Sequence, residues 1–366
     1  MALKQLRNHI PIGSPARREA ADGNESPFRV SMGFEPAWFH QRLGVDFSET
    51  WHRDPVYRFE TRKCMKAELL NRFPETDYWN AVTEPDLASF SGCFGIGIVP
   101  AIFGVPLRFY PDRWPELEPG CQYSIEQVES LDVDALLSSS FVEGLFAQMD
   151  EIERGWGMLR GYLNWQGVLN TAFHLRGQQI FVDLVENPEV ADRLLEAVAE
   201  VMIRLGQRIQ ERQRRSGFDV DLMCISNCVV NMISPRMYSR RIAPYDRRAA
   251  ESFDRFGVHT CNWDVTPYLE VLQALPKVGY LDMGIVSNMP RVREMFPETR
   301  RALLYSPRRI IEASAAEIRA DLERVARELA PCDIVMADIP AETPDERVRE
   351  FLAMCRDVGR VINGSA

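Results

Sequence analysis

The residues best equipped for chemistry lie in the second half of the chain. His259-Thr-Cys261 sets an imidazole and a thiol two residues apart. In an extended strand such residues share one side, so both can face a single ion. Imidazole with thiolate is a borderline-soft donor pair suited to Zn²⁺. A packed histidine beside a buried free thiol has the same spacing, and the motif alone leaves both readings open. Asp282 ends the segment Gly279-Tyr-Leu-Asp282, and Asp338 ends Met336-Ala-Asp338. Each carboxylate is a candidate oxygen ligand or acid/base group, and each is equally a cap for the turn after a strand. Asn227, in Cys224-Ile-Ser-Asn227-Cys228, and Asn164 and Gln166, in Gly161-Tyr-Leu-Asn164-Trp-Gln166, offer neutral amides. Such amides orient a substrate or close a loop. His40, His52 and His174 lack ligand spacing to one another and read as surface or packing residues. Residues 90–114 are rich in aromatics and glycine, as a core-covering hairpin, a lid or an apolar substrate wall would be. There is no Gly-x-Ser-x-Gly elbow and no P-loop.

These side chains need elements to hold them. Asn187-Pro188-Glu189 predicts a helix start, a cap followed by proline at the first helical position. Val190, Leu194, Leu195, Val198, Val201, Met202 and Leu205 then repeat on one face, and the helix is expected to stop before Ser216-Gly217. Strands are expected at 220–225, 258–261, 278–283, 302–305 and 333–337. Helices are expected at 245–256, from Pro267, from the capping box Ser314-Ala-Ala-Glu317 to about Leu329, and after Thr343-Pro-Asp-Glu346. Unbroken strand–helix alternation means a parallel sheet wrapped by helices. The Gly-rich run at 92–100 has the wrong spacing for dinucleotide binding. The expected fold is therefore one (β/α)8 TIM-type barrel over residues 28–360, preceded by a polar N-terminal arm over 1–27. Chemistry in such a barrel sits at the carboxyl ends of the strands.

The 366 residues are 46% hydrophobic and 26% charged, enough for a large core. A net charge of −10 repels polyphosphate backbones, which argues against nucleic acid as a partner. No stretch reaches the length of a membrane span, and the start has no apolar leader. Eight scattered cysteines without a secreted-type framework point to a cytoplasmic protein with reduced thiols.

Taken in order, several segments resemble the uroporphyrinogen decarboxylase superfamily. Asn164-Trp-Gln-Gly-Val through Asn187-Pro188-Glu189 is similar to that family's Gly-Pro strand end and its Asn/Asp-Pro-Glu helix. Ile233-Ser-Pro235 to Pro244-Tyr245, His259-Thr-Cys261 and Ile339-Pro-Ala-Glu-Thr343-Pro344 resemble further segments in the same order. The true decarboxylase carries an Arg-Gln-Ala-Gly-Arg clamp for tetrapyrrole carboxylates. The corresponding region here reads Met32-Gly-Phe-Glu-Pro-Ala-Trp38-Phe-His. The His-x-Cys pair instead resembles the zinc-dependent, corrinoid-linked methyltransferase branch.

That resemblance implies transfer of a methyl group from a small methylated substrate, above all an aromatic or other methyl ether, to the cobalt of a corrinoid. The corrinoid would be held by a separate protein, because this chain lacks the Asp-x-His-x-x-Gly motif; the reverse direction, to a thiol, also occurs in the branch. It implies His259, Cys261 and Asp282 as catalytic residues, and Trp38, Asn164, Gln166 and Asn227 as substrate contacts. Zinc members usually take a second cysteine just before the terminal Ile-Pro segment, where Ala337 and Asp338 stand here. The expected metal set is therefore His259, Cys261, Asp282 and Asp338. Cys332 lies most of a strand length below Asp338, at about 3.3 Å per residue, and is expected to be a buried structural thiol. Two other classes remain: a metal-free decarboxylase (lyase) using Asp282 or Asp338 as proton donor, and a non-catalytic barrel serving as a subunit.

Overall fold

The computed structural model describes residues 28–74 and 83–364; the expected arm over 1–27 lies outside them. The expected α/β barrel is the architecture observed. Six parallel strands form its regular wall: β1 (Phe28–Phe34), β4 (Leu222–Ser226), β5 (Arg255–His259), β6 (Val278–Gly284), β7 (Arg300–Leu304) and β8 (Cys332–Ile339). Their order is β1-β8-β7-β6-β5-β4. A small antiparallel ribbon, β2 (Leu107–Arg108) with β3 (Glu116–Leu117), lies outside this sheet.

Two irregular segments extend the wall beyond β4. Residues 161–166 run parallel beside β4: Ser226 N–H donates to Trp165 O at 2.9 Å, and Gly167 N–H to Ser226 O at 2.7 Å. Residues 89–91 lie alongside them, with Phe90 N–H donating to Arg160 O at 3.3 Å and Tyr162 N–H to Ser91 Oγ at 2.9 Å.

The carbonyls of the 87–91 segment are bound by side chains. Arg58 and Arg62, one turn apart on the helix Pro55–Arg72, are both fully buried. Arg62 Nη1 donates to Leu87 O at 3.1 Å and Ser89 O at 2.6 Å, and its Nη2 binds Ser91 O. Arg58 Nε adds a bond to Ser89 O at 3.1 Å. Burial beside Arg58 pushes the Arg62 guanidinium down to about 9, so it still carries charge at neutral pH.

Every residue of β4 is buried, as expected for a strand covered on both faces. The long helix forms over Pro188–Arg215, and its Leu194, Leu195, Val198, Val201, Met202 and Leu205 stripe is buried as the periodicity predicts. Ser314 caps the helix Ala315–Leu329 in a full capping box. Thr343 does not cap the last helix, Asp345–Gly364: its hydroxyl is buried without a partner. Among the described residues no helix is long and apolar enough to cross a membrane.

Removing the buried Arg62 guanidinium takes a donor from three carbonyls at once, leaving only Ser89 O with the Arg58 bond. Arg62→Leu is expected to cost about 3–5 kcal/mol, read as a lower urea midpoint, whereas exposed Lys63→Ala stays within about 0.5 kcal/mol. Equal midpoints for the two variants would refute this role for Arg62.

Candidate metal centre

The mouth of the barrel holds a cavity of about 850 Å³, open to solvent on one side. Strand register places its reactive groups. Ser226 pairs with His259 across β4 and β5, and Asn227 N–H donates to His259 O at 2.7 Å. Each chain therefore carries a cysteine two residues past the paired position: Cys228 and Cys261. Cys261 turns its backbone into the left-handed region at φ 58°. Cys228 Sγ, Cys261 Sγ and a ring nitrogen of His259 all lie within 4.8 Å of one another. Cys261 Sγ stands 3.2 Å from His259 Nε2.

The other ring nitrogen fixes the histidine. His259 Nδ1–H donates to Asp282 Oδ2 at 2.6 Å, which leaves the Nε2 lone pair facing the thiols. Asp282 is fully buried and also accepts from Thr260 N–H at 2.7 Å and from Tyr280 O–H at 2.9 Å. Three donors thus converge on one carboxylate. Asp282, expected as a ligand and a catalytic group, instead sits behind His259 and does not line the cavity.

Asp338 does line the cavity, from the end of β8 at φ 57°, but its carboxylate is not among the converging atoms. Cys332 begins β8 at the opposite end of the barrel, paired with Phe28. It is buried as expected, and burial pushes its thiol far up. None of the eight cysteines is in a disulfide.

Asn164 and Gln166 line the cavity as a chain of amides. Gln166 Nε2–H donates to Asn164 Oδ1 at 3.3 Å, and Asn170 Nδ2–H to Gln166 Oε1 at 3.1 Å. Asn170 Oδ1 then accepts from Val229 N–H at 2.9 Å, beside Cys228. Asn227, expected to touch substrate, points away: its Nδ2–H donates to Asp246 Oδ2 at 2.8 Å, where Tyr238 O–H also donates at 2.8 Å. Its amide is closely packed, since a Cβ at Gly167 would stand 2.0 Å from Asn227 Oδ1.

Trp38, the other expected substrate contact, is fully buried away from the mouth. Phe34 and Phe39 lie 4.5 Å and 4.9 Å from it, and the Arg42 guanidinium 4.2 Å over its ring. An aromatic side chain next to β1 is a core residue here. The aromatic wall comes from the 90–114 region, where Gly92, Gly95, Ile96 and Trp114 line the cavity. Phe94 N–H donates to His52 Nδ1 at 2.9 Å and anchors that loop. Burial holds His52 down at about 3, so it is a neutral acceptor. His174, read as packing, also lines the cavity near Cys228, and burial pushes it below its ordinary value.

Two thiols and one imidazole, the imidazole oriented by a carboxylate, fit a zinc ion. Three protein ligands are the number that leaves a position for substrate. The group that could hold an ion thus shares His259 and Cys261 with the expected set and adds Cys228, while the Asp282 and Asp338 carboxylates lie outside it. Cys228 escaped the sequence reading because only the β4–β5 register brings it opposite Cys261.

No protein-family model matches the sequence, and no curated protein does. The structure is similar to that of a methyltransferase from Methanosarcina mazei, with a TM-score of 0.66 at 14% identity. The likeness covers 92% of this chain and 95% of that one. At that identity the likeness is one of fold, and it spans nearly the whole barrel.

Two outcomes follow from this geometry. Zinc titration is expected to load one ion per chain; Cys228→Ser and Asp282→Asn should each weaken it by at least about tenfold, while Cys332→Ser and Asp338→Ala leave it unchanged. Zinc loss in the Cys332 variant alone would sink the assignment. The second outcome concerns Asp246, which burial raises to about 6 from 3.8. Between about pH 4 and 6 the folded chain keeps a proton that the unfolded chain has released, so stability falls as pH rises through that window. Going from pH 4 to pH 7, the urea stability of Asp246→Asn should gain roughly 2–3 kcal/mol relative to wild type. Parallel pH profiles would contradict it.

Proposed function

We propose that this chain is a cytoplasmic methyltransferase. A small methylated substrate occupies the cavity at the barrel mouth, and a zinc ion is held by Cys228, His259 and Cys261. The methyl group goes to the cobalt of a corrinoid carried by a separate protein. The observation that carries this reading is the convergence of two thiols and an oriented imidazole on one point of the cavity. The fold likeness to a methyltransferase supports it.

Zinc supplies, when bound, a Lewis acid that withdraws charge from the substrate heteroatom as its bond to carbon breaks. The chain's own residues do the rest. Asp282 holds His259 in one tautomer and one rotation, so its Nε2 stays an acceptor throughout. The Asn164–Gln166–Asn170 amides give the substrate fixed donors and acceptors and tie the Cys228 loop at Val229. Trp114, Pro115, Ile96 and Phe173 provide apolar wall and keep water from the reacting carbon. The open side of the cavity leaves a partner protein room to present its cofactor.

The resemblance implies an ether above other donors, and a carboxylate-rich ligand set would fit an ether oxygen. Two thiolates make the centre softer, so thioethers and amines stand beside ethers as donors. The lyase reading draws no support from Asp282, whose oxygens are bound behind His259.

The test is a mixture of zinc-loaded protein, Co(I) cobalamin and methyl ethers, thioethers or methylamines, followed by the methylcobalamin spectrum. Turnover with at least one class is expected, falling about 100-fold or more in His259→Ala. No turnover with any class, together with release of CO₂ from a carboxylated substrate, would replace this reading with the lyase.

A further inference from the structure

The charge of the cavity wall is lopsided. Among the described residues four carboxylates line it, Glu35, Asp112, Glu116 and Asp338, against one guanidinium, Arg113. That guanidinium is already engaged, with Arg113 Nε–H donating to Asp112 Oδ1 at 3.1 Å and Glu116 adding its field. Glu35 follows the end of β1 and Asp338 is the penultimate residue of the neighbouring β8, where Glu35 N–H donates to Ile339 O at 3.0 Å. The Glu35 carboxyl is raised above its usual range by burial first and then by repulsion from Asp338 and Glu342. The metal does not reverse it, because two thiolates cancel the charge of one divalent ion. The remaining described wall is apolar or uncharged polar apart from the His174 and His259 imidazoles and the Cys228 and Cys261 thiols, with Trp114, Phe173 and Tyr305 contributing aromatic surface.

We infer that this cavity is built to reject carboxylate-bearing molecules and to take a substrate that is neutral or positively charged, with Glu35 and Asp338 as the specificity-determining residues. The inference deepens the methyl-transfer reading and rests on it for the word substrate, but the selectivity itself is a property of the wall. A bound carboxylate would add a fifth negative charge to a partly desolvated space whose one cation is paired. The Coulomb cost there is not screened as it is in bulk water. A cation meets the opposite situation, with carboxylates and aromatic faces on the same wall. Donors such as neutral aryl ethers, thioethers and protonated methylamines fit; aryl ethers carrying a ring carboxylate do not.

Three probes of nearly equal shape separate charge from size: 2-phenylethylammonium, 2-phenylethanol and phenylacetate. Their binding to the zinc-loaded chain is measured by calorimetry at pH 7.5 and low salt. The cation is expected to bind at least about tenfold more tightly than the anion, with the alcohol between them. Glu35→Gln and Asp338→Asn should each narrow that ratio by about threefold or more, and added salt should narrow it in wild type. Asparagine tolerates the left-handed backbone of Asp338, so that variant keeps its fold; Glu35→Gln is an independent second variant. Equal binding of cation and anion, a ratio unmoved in both variants, or no binding of any probe at millimolar concentration would overturn the inference. Charge selectivity without methyl transfer would leave it standing and remove the proposed function. Methyl transfer from a carboxylated ether as fast as from its neutral parent would do the reverse.

Discussion

One buried contact organises the mouth of this barrel: the bond between His259 Nδ1 and the Asp282 carboxylate. A fully buried carboxylate is costly unless several donors meet it, and here the imidazole, a backbone amide and a phenol all do. Thr260 binds the same residue twice, its amide to the side chain and its hydroxyl to Asp282 O at 2.6 Å. Strand end and side chain are therefore locked as one unit. The lock fixes the plane of the imidazole, and with it the position of Nε2, to which Cys228 and Cys261 must be brought. Gly284 serves the same end: a Cβ there would stand 1.8 Å from Asn262 O, so only glycine lets the loop after Cys261 fold back on β6.

The scaffold beneath the site trades regular ladders for side-chain bonds. Six strands pair through continuous backbone ladders, but the segments at 89–91 and 161–166 make only isolated backbone bonds. Arg58 and Arg62 take the carbonyls of the first, and Tyr162 O–H bonds to the Cys224 backbone from the second. Irregular backbone buried in a core must be satisfied by something, and guanidinium groups can bind several oxygens at once. This irregularity is useful. Asn164 and Gln166 reach the cavity from the second segment, and Gly92 and Gly95 from the turn just past the first.

Much of this was legible from the chain alone because local patterns dictated it. The stripe after Pro188, the capping box at Ser314 and the alternation of strands and helices are short-range signals, and each led to the element observed. His259 and Cys261 were legible because two residues in one strand end need no knowledge of any other strand. Cys228 was not, since its proximity to Cys261 depends on the pairing of Ser226 with His259. Asp282 was placed on the right strand and given the wrong neighbour. Strand ends identify who reaches the mouth; only packing decides which of them faces the cavity and which braces a neighbour from behind. Trp38 failed for a related reason: aromatic residues that wall a pocket and those that fill a core have the same composition, and the Phe34–Trp38–Phe73 cluster is core.

The exchange of two expected carboxylates for one thiolate changes what the centre can do. Two carboxylates beside one thiolate and one imidazole would leave a harder zinc with a net negative charge; two thiolates with one imidazole would leave it softer and close to neutral. A neutral centre would not attract an anion by itself, which under the proposed function would leave charge selection to the wall, where the described carboxylates outnumber the guanidinium. Activation of a substrate there would depend on direct coordination rather than on long-range charge. Direct coordination is a short-range requirement: the heteroatom must come within bonding distance of the ion. That places the burden on the rigid parts, the Asp282 lock and the amide chain ending at Val229, and explains why both are tied to backbone atoms of the ligand loops rather than to one another.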